Sequence, residues 1–202
     1  MEVSVINNEG VRILDAVRRM RRFHADVAEL LRECEARILA EHWQPVQASD
    51  KAGAEKSGVT WSVSKNIEEP DRWLPQFANR AYRRGDKPSL MPFVNVIWDL
   101  VYHPALLQEP MVTAGWVDYS PHVAQWTRVG DAPLMHMFLP NRRDNGEFVR
   151  IDGAMWQRLP ASVRGKLAAS RAATMGLPLT SVTRATLGPS VIDPLIQELS
   201  TL

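Results

Sequence analysis

The chain has little of what usually announces a chemistry. Its 202 residues include one cysteine, Cys34, which excludes an internal disulfide and any multi-cysteine metal site. A lone thiol fits a reducing compartment. No apolar run approaches the ~20 residues needed to span a bilayer. The opening "MEVSVINNEG" has neither the basic start nor the apolar segment of a secretory signal. A cytoplasmic protein without membrane contact is the expectation. Charge of one sign is also missing: 24 Lys and Arg stand against 23 Asp and Glu, a net +1. Nothing global therefore draws the chain to polyanions, and nucleic-acid contact would need local clusters.

Signature motifs are missing as well. The sequence contains no Walker A loop, no G-x-G-x-x-G, no H-E-x-x-H and no G-x-S-x-G. "GAEKS" has the look of a phosphate loop but lacks the glycine before Lys56. Zinc-finger, aromatic RNP and basic-zipper patterns are absent too. His24 and His42 share a helical segment but are separated by ~27 Å of rise, too far for one metal ion. No metal and no cofactor is expected.

What the sequence does contain is a long amphipathic helix, read from Glu9 to Trp43 with Asn7 or Asn8 as its cap. Ile13, Val17, Met20, Phe23, Val27, Leu31, Cys34 and Ile38 fall on one stripe at helical spacing. At 1.5 Å per residue such a helix is ~50 Å long, more than a compact domain of this size covers. Part of the stripe is expected to meet another subunit or a partner, and the surface assigned to self-association is Val17, Met20, His24, Val27, Leu31 and Ile38.

Arginines crowd this helix at "RRMRR". Arg18, Arg19 and Arg22 lie opposite the apolar stripe, among Asp15, Asp26, Glu29 and Glu33. Asp15 with Arg19, and Glu33 with Arg37, are spaced for i,i+4 pairs. This is how a solvated helix face is built. The basic half precedes the acidic half, against the macrodipole preference, an order that suits an antiparallel copy of the same helix. A different reading joins these arginines with Arg80, Arg83, Arg84, Arg142 and Arg143 into a nucleic-acid surface. It requires the clusters to converge.

Beyond the helix, residues 44–58 are small and polar and read as a linker or loop, ahead of an α+β domain over 59–202. "VTWSVSK" alternates as a half-buried strand. "EPDRWLPQFANRAYRRG" reads as a helix, with Trp73, Phe77 and Ala81 on one face and Gly85 as its stop. "MPFVNVIWDLVY" is apolar on both sides, as a doubly covered strand should be. "PMVTAGWVDY" is a second strand, and "LMHMFLP" with "EFVRID" flank the turn pair Asn145-Gly146. "SVRGKLAASRAATMG" reads as a helix stopped at Gly176, and "SVIDPLIQELSTL" as a closing helix with Pro194 in its first turn. The class is α+β, a mainly antiparallel sheet of about five strands packed with helices.

Two constellations could carry chemistry. Asp99 with His103 and Asp118 with His122 repeat the spacing of a carboxylate that orients an imidazole. Asn95 and Asp99 are expected on one covered sheet face with Phe93 and Ile97, where polar groups must find partners or line a pocket. The pocket reading is therefore an enzyme of unrecognised type around Asn95, Asp99 and His103. The favoured reading is an accessory, adaptor or immunity-type protein that acts by association with a protein partner and with itself.

Overall fold

In the computed structural model, the residues described are 3–45, 67–68, 70, 74–99, 107, 109–118, 147–151 and 171–202. The strands expected at "VTWSVSK" and "LMHMFLP", the Asn145-Gly146 turn, His103, His122, His136, Arg142 and Arg143 lie outside them. The described chain is α+β: one long helix, six antiparallel strands and a helical C-terminus.

Helix α1 runs Val3–Ala40, about 57 Å at 1.5 Å per residue. It starts six residues before the expected Glu9, so Asn7 and Asn8 lie inside it and do not cap it. Its end is tight: Glu41 N–H donates to Ile38 O at 3.2 Å and His42 N–H to Leu39 O at 3.0 Å. His42 then takes φ 64°, the left-handed position usually given to glycine after a helix. The reversal drops Trp43 into the core. The chain continues directly into strand β1, Gln44–Pro45, so the first two residues of the expected linker are part of the sheet.

The sheet consists of β1, β2 (Phe77–Arg83), β3 (Leu90–Ile97), β4 (Met111–Asp118), β5 (Val149–Ile151) and β6 (Arg171–Pro178). Their order is β1-β2-β3-β4-β6-β5 with every pair antiparallel. Two of these strands correct the sequence reading. Phe77–Arg83 was expected as helix because Phe77 and Ala81 recur at i,i+4. In the sheet, Phe77, Asn79 and Ala81 line one face and Ala78, Arg80 and Tyr82 the other, and all six are buried. A strand buried on both sides has no alternation to read. Gly85 belongs to the reversal between β2 and β3, where Arg84 bridges Lys87, and stops no helix.

The second correction is β6. "RAATMG" has helical propensity, but small residues are what this position in the sheet admits. A Cβ on Gly176 would lie 2.8 Å from Met111 Cε, and one on Gly115 only 2.2 Å from the Ala173 carbonyl oxygen. Close packing here overrides propensity.

One sheet face carries the core. Val27, Leu31, Cys34 and Ile38 of α1 and Trp43 pack with Tyr82, Val94, Val96, Ala114, Trp116 and Met175. The C-terminal segment packs against the same face: a 3₁₀ turn Leu179–Ser181, helix α2 (Arg184–Leu187), a π-helical turn Gly188–Ile192 and helix α3 (Asp193–Ser200). Thr183 caps α2 through its contact with Thr186 N–H at 3.3 Å. Pro194 sits in the first turn of α3 as expected, beside Asp193, whose charge suits a helix N-terminus.

Candidate functional site: the projecting half of α1

The apolar stripe of α1 has two fates. From Phe23 onward it is absorbed by the chain's own core: Val27, Leu31, Cys34 and Ile38 are buried. On its N-terminal side the stripe is bare at Ile13 and Val17, which are 63% and 45% exposed, and Val11 and Leu14, off the stripe, are 57% and 48% exposed. Fully covering an aliphatic side chain of this size is worth roughly 1.5–3 kcal/mol, so Ile13, Leu14 and Val17, which lie within one arc of the helix, leave a substantial unsatisfied surface.

An aromatic cluster marks where the helix leaves the body. The Phe23 ring meets Trp98 edge-on at 5.2 Å, and His24 lies 5.5 Å from Trp98. Trp98 is fixed in turn by its Nε1–H, which donates to the Pro75 carbonyl at 2.6 Å. N-terminal to Phe23, from Glu9 to Arg19, every side chain is exposed.

The six residues assigned to self-association are therefore divided. Val17 is exposed and Met20 half-buried on the projecting arm; His24 belongs to the aromatic cluster; Val27, Leu31 and Ile38 are core of the same chain. Val11 and Leu14 join the exposed set although the stripe did not include them. The signal that separates the halves is not on the helix itself, since the hydrophobic spacing continues through both.

The arginines are likewise divided. Arg18 lies 3.6 Å from Asp15 and is largely exposed, in place of the expected Asp15–Arg19 pair. Arg37 lies 3.5 Å from Asp193, while Glu33 faces Arg184 at 3.7 Å, in place of the expected Glu33–Arg37 pair. Arg80 is buried and paired with Glu35. Arg84 stacks over Trp43 at 4.7 Å and donates to Asp86 at 2.7 Å, which holds the Asp86 carboxyl below its usual range. Trp43 lies beyond the C-terminal end of α1, roughly 30 Å of helix rise from Arg22. The described arginines of the two clusters thus do not converge.

The pocket reading fares differently at its two described members. Asn95 is fully buried in a polar row that crosses three strands: Asn79 Nδ2 donates to Asn95 Oδ1, and Asn95 Nδ2 donates to Thr113 Oγ1 at 3.2 Å. Strand β3 ends at Ile97, short of the expected Tyr102, and Asp99 is exposed beyond it. The two side chains do not share a covered face. Among the described residues, no group of three or more His, Cys, Asp or Glu could hold a metal ion, and no helix is long and apolar enough to cross a membrane.

A groove of about 410 Å³ runs beside α1 where the helix joins the body. Phe23, Val27 and Leu30 line it from the helix, Leu179, Val182 and Leu187 from the C-terminal segment. Asp26, Glu29 and Glu33 stand on its α1 rim, with Arg184 opposite.

Comparison with protein families, with curated proteins and with solved structures yields no match.

Proposed function

We propose that the protein acts by protein–protein association, as an accessory, adaptor or immunity-type component, and that it self-associates through the projecting half of α1. One observation carries this reading: a single unbroken helix is core from Val27 to Ile38 and leaves four aliphatic side chains exposed between Val11 and Val17. A helix held only by its own hydrogen bonds is marginal at this length. Asn7, Asn8 and Gly10 weaken it further. Covering the stripe with a second protein surface supplies the tertiary packing that such a helix needs. The setting we propose is the cytoplasm, where the one buried thiol stays reduced.

Hydrogen exchange at two protein concentrations tests the reading. Amides of residues 9–22 are expected to be protected in concentrated protein and to exchange rapidly on dilution, while those of residues 27–38 stay protected throughout. Rapid exchange of residues 9–22 at every concentration would count against association through the arm.

A further inference from the structure

The groove and the arm are complementary in two respects. The groove has an apolar floor and three carboxylates, Asp26, Glu29 and Glu33, along one rim. The arm has four bare aliphatic side chains and, from Glu9 to Arg22, five arginines against two acids. A helix with an apolar stripe and cationic flanks is what an acidic-rimmed apolar groove receives. Its volume of about 410 Å³ is within the range of binding clefts. The cation already on the rim is weakly held: Arg184 stands 3.7 Å from both Glu29 and Glu33 and is 83% exposed, so an incoming guanidinium replaces it at little cost.

The geometry points to a definite occupant: the groove receives the α1 arm of a second copy, with Ile13, Leu14 and Val17 on its floor and Arg18 and Arg21 against Asp26 and Glu29. This rests on the proposed self-association and names the surface that receives the arm. The arm of the same chain cannot fill the groove, because α1 is unbroken and the groove flanks its middle. Packing arm on arm would set two net-cationic helices together, which like charge disfavours. Arm in groove joins opposite signs. At about 100° per residue, Val17 and Asp26 fall on opposite sides of α1. The face that is given and the face that receives are therefore different, and such head-to-tail contacts build rings or chains.

Charge exchange in the full chain tests this, read by light scattering on a sizing column. One variant carries Arg18→Glu with Arg21→Glu, the other Asp26→Arg with Glu29→Arg; all four positions are exposed, and helix content is checked by circular dichroism. Each variant alone is expected to associate at least about tenfold more weakly than the unsubstituted protein, because arm and groove then repel. An equimolar mixture is expected to recover association, since acidic arms meet basic grooves. Undiminished association of the groove variant, while Ile13→Asp with Val17→Asp abolishes it, would overturn the groove and leave arm-mediated association standing. An unsubstituted protein that stays monomeric throughout would overturn both. Should either variant lose helix, salt decides: association is expected to weaken as ionic strength rises, and salt-insensitive association would overturn the groove.

Discussion

Arg80 of β2 and Glu35 of α1 form an ion pair between the sheet and the helix, the guanidinium Nε–H donating to Glu35 Oε2. Only 4% of the Arg80 side chain and 24% of the Glu35 side chain are exposed. Burial pushes the neighbouring Tyr82 phenol above its usual range, and the charge of Glu35 adds to the effect. This pair fixes which turn of α1 lies on which residue of β2. With the core contacts of Val27, Leu31, Cys34 and Ile38 it anchors the buried half of the helix.

Removing one partner leaves the other charge buried without it. Glu35→Ala is expected to lower stability by about 3 kcal/mol, the usual scale for a broken buried pair. The double variant Glu35→Leu with Arg80→Met should lie closer to the original protein than either single change. Denaturant unfolding measures this; a loss under about 0.5 kcal/mol for Glu35→Ala would refute the role assigned to the pair.

The buried thiol of Cys34 gives a pH signature. Burial, helped by the charge of Glu33, pushes it from 9.0 up to about 12. The folded protein thus holds this proton more tightly than the unfolded chain. The resulting stability is complete below pH 9 and is lost as pH rises from there toward about 12. Between those limits the original protein should lose up to about 1.4 kcal/mol per pH unit relative to Cys34→Ala. Equal slopes in the two proteins would contradict a thiol held in the core.

The polar row of Asn79, Asn95 and Thr113 is costly to interrupt. Asn95→Ala strands the Asn79 amide and the Thr113 hydroxyl inside the sheet, each orphan costing roughly 1–3 kcal/mol. Asn95→Asp should be at least as damaging, because it sets a charge in the same place. Thermal melts of both variants check this, and an unchanged midpoint for Asn95→Ala would contradict a stabilising role for the row.

Two glycines separate backbone crowding from side-chain crowding. An added methyl on Gly115 meets the Ala173 carbonyl oxygen at 2.2 Å and the Phe93 ring at 2.8 Å, whereas the nearest atoms to one on Gly188 are those of the Arg37 guanidinium. Gly115→Ala is expected to cost about 3 kcal/mol or more, as overpacking against backbone does. Gly188→Ala should cost under about 1 kcal/mol, since an exposed arginine swings away. Comparable losses at both sites in denaturant unfolding would contradict the packing of β4 on β6.

The elements legible in the sequence are those whose pattern depends on one neighbour. Helix α1 showed its stripe, β3 its double burial and α3 its proline-started turn, because each signal is local. β2 and β6 read as helix in the sequence for one reason. Phe77 with Ala81, and the alanines of "RAATMG", carry helical signals that the sheet overrides through contacts with distant strands. At the candidate site, the length of α1 was visible and so was its excess of apolar surface. Which residues remained bare was not, because Val27 and Val17 are alike in spacing and chemistry. Only the path of β2 and β3 beneath the helix decides that the first is core and the second is not. The groove was invisible for a related reason: its two walls, Phe23–Glu33 and Leu179–Leu187, are far apart in the chain.

Sedimentation equilibrium of the full chain beside its Ile13→Asp, Val17→Asp variant tests self-association through the arm. Both positions are exposed and outside the core, so the variant is expected to keep its folded body. The original protein is expected to gain mass with concentration, and the variant to remain at the 22.8 kDa of a single chain. A single-chain mass for both proteins at every concentration, or equal association by both, would contradict self-association through the arm.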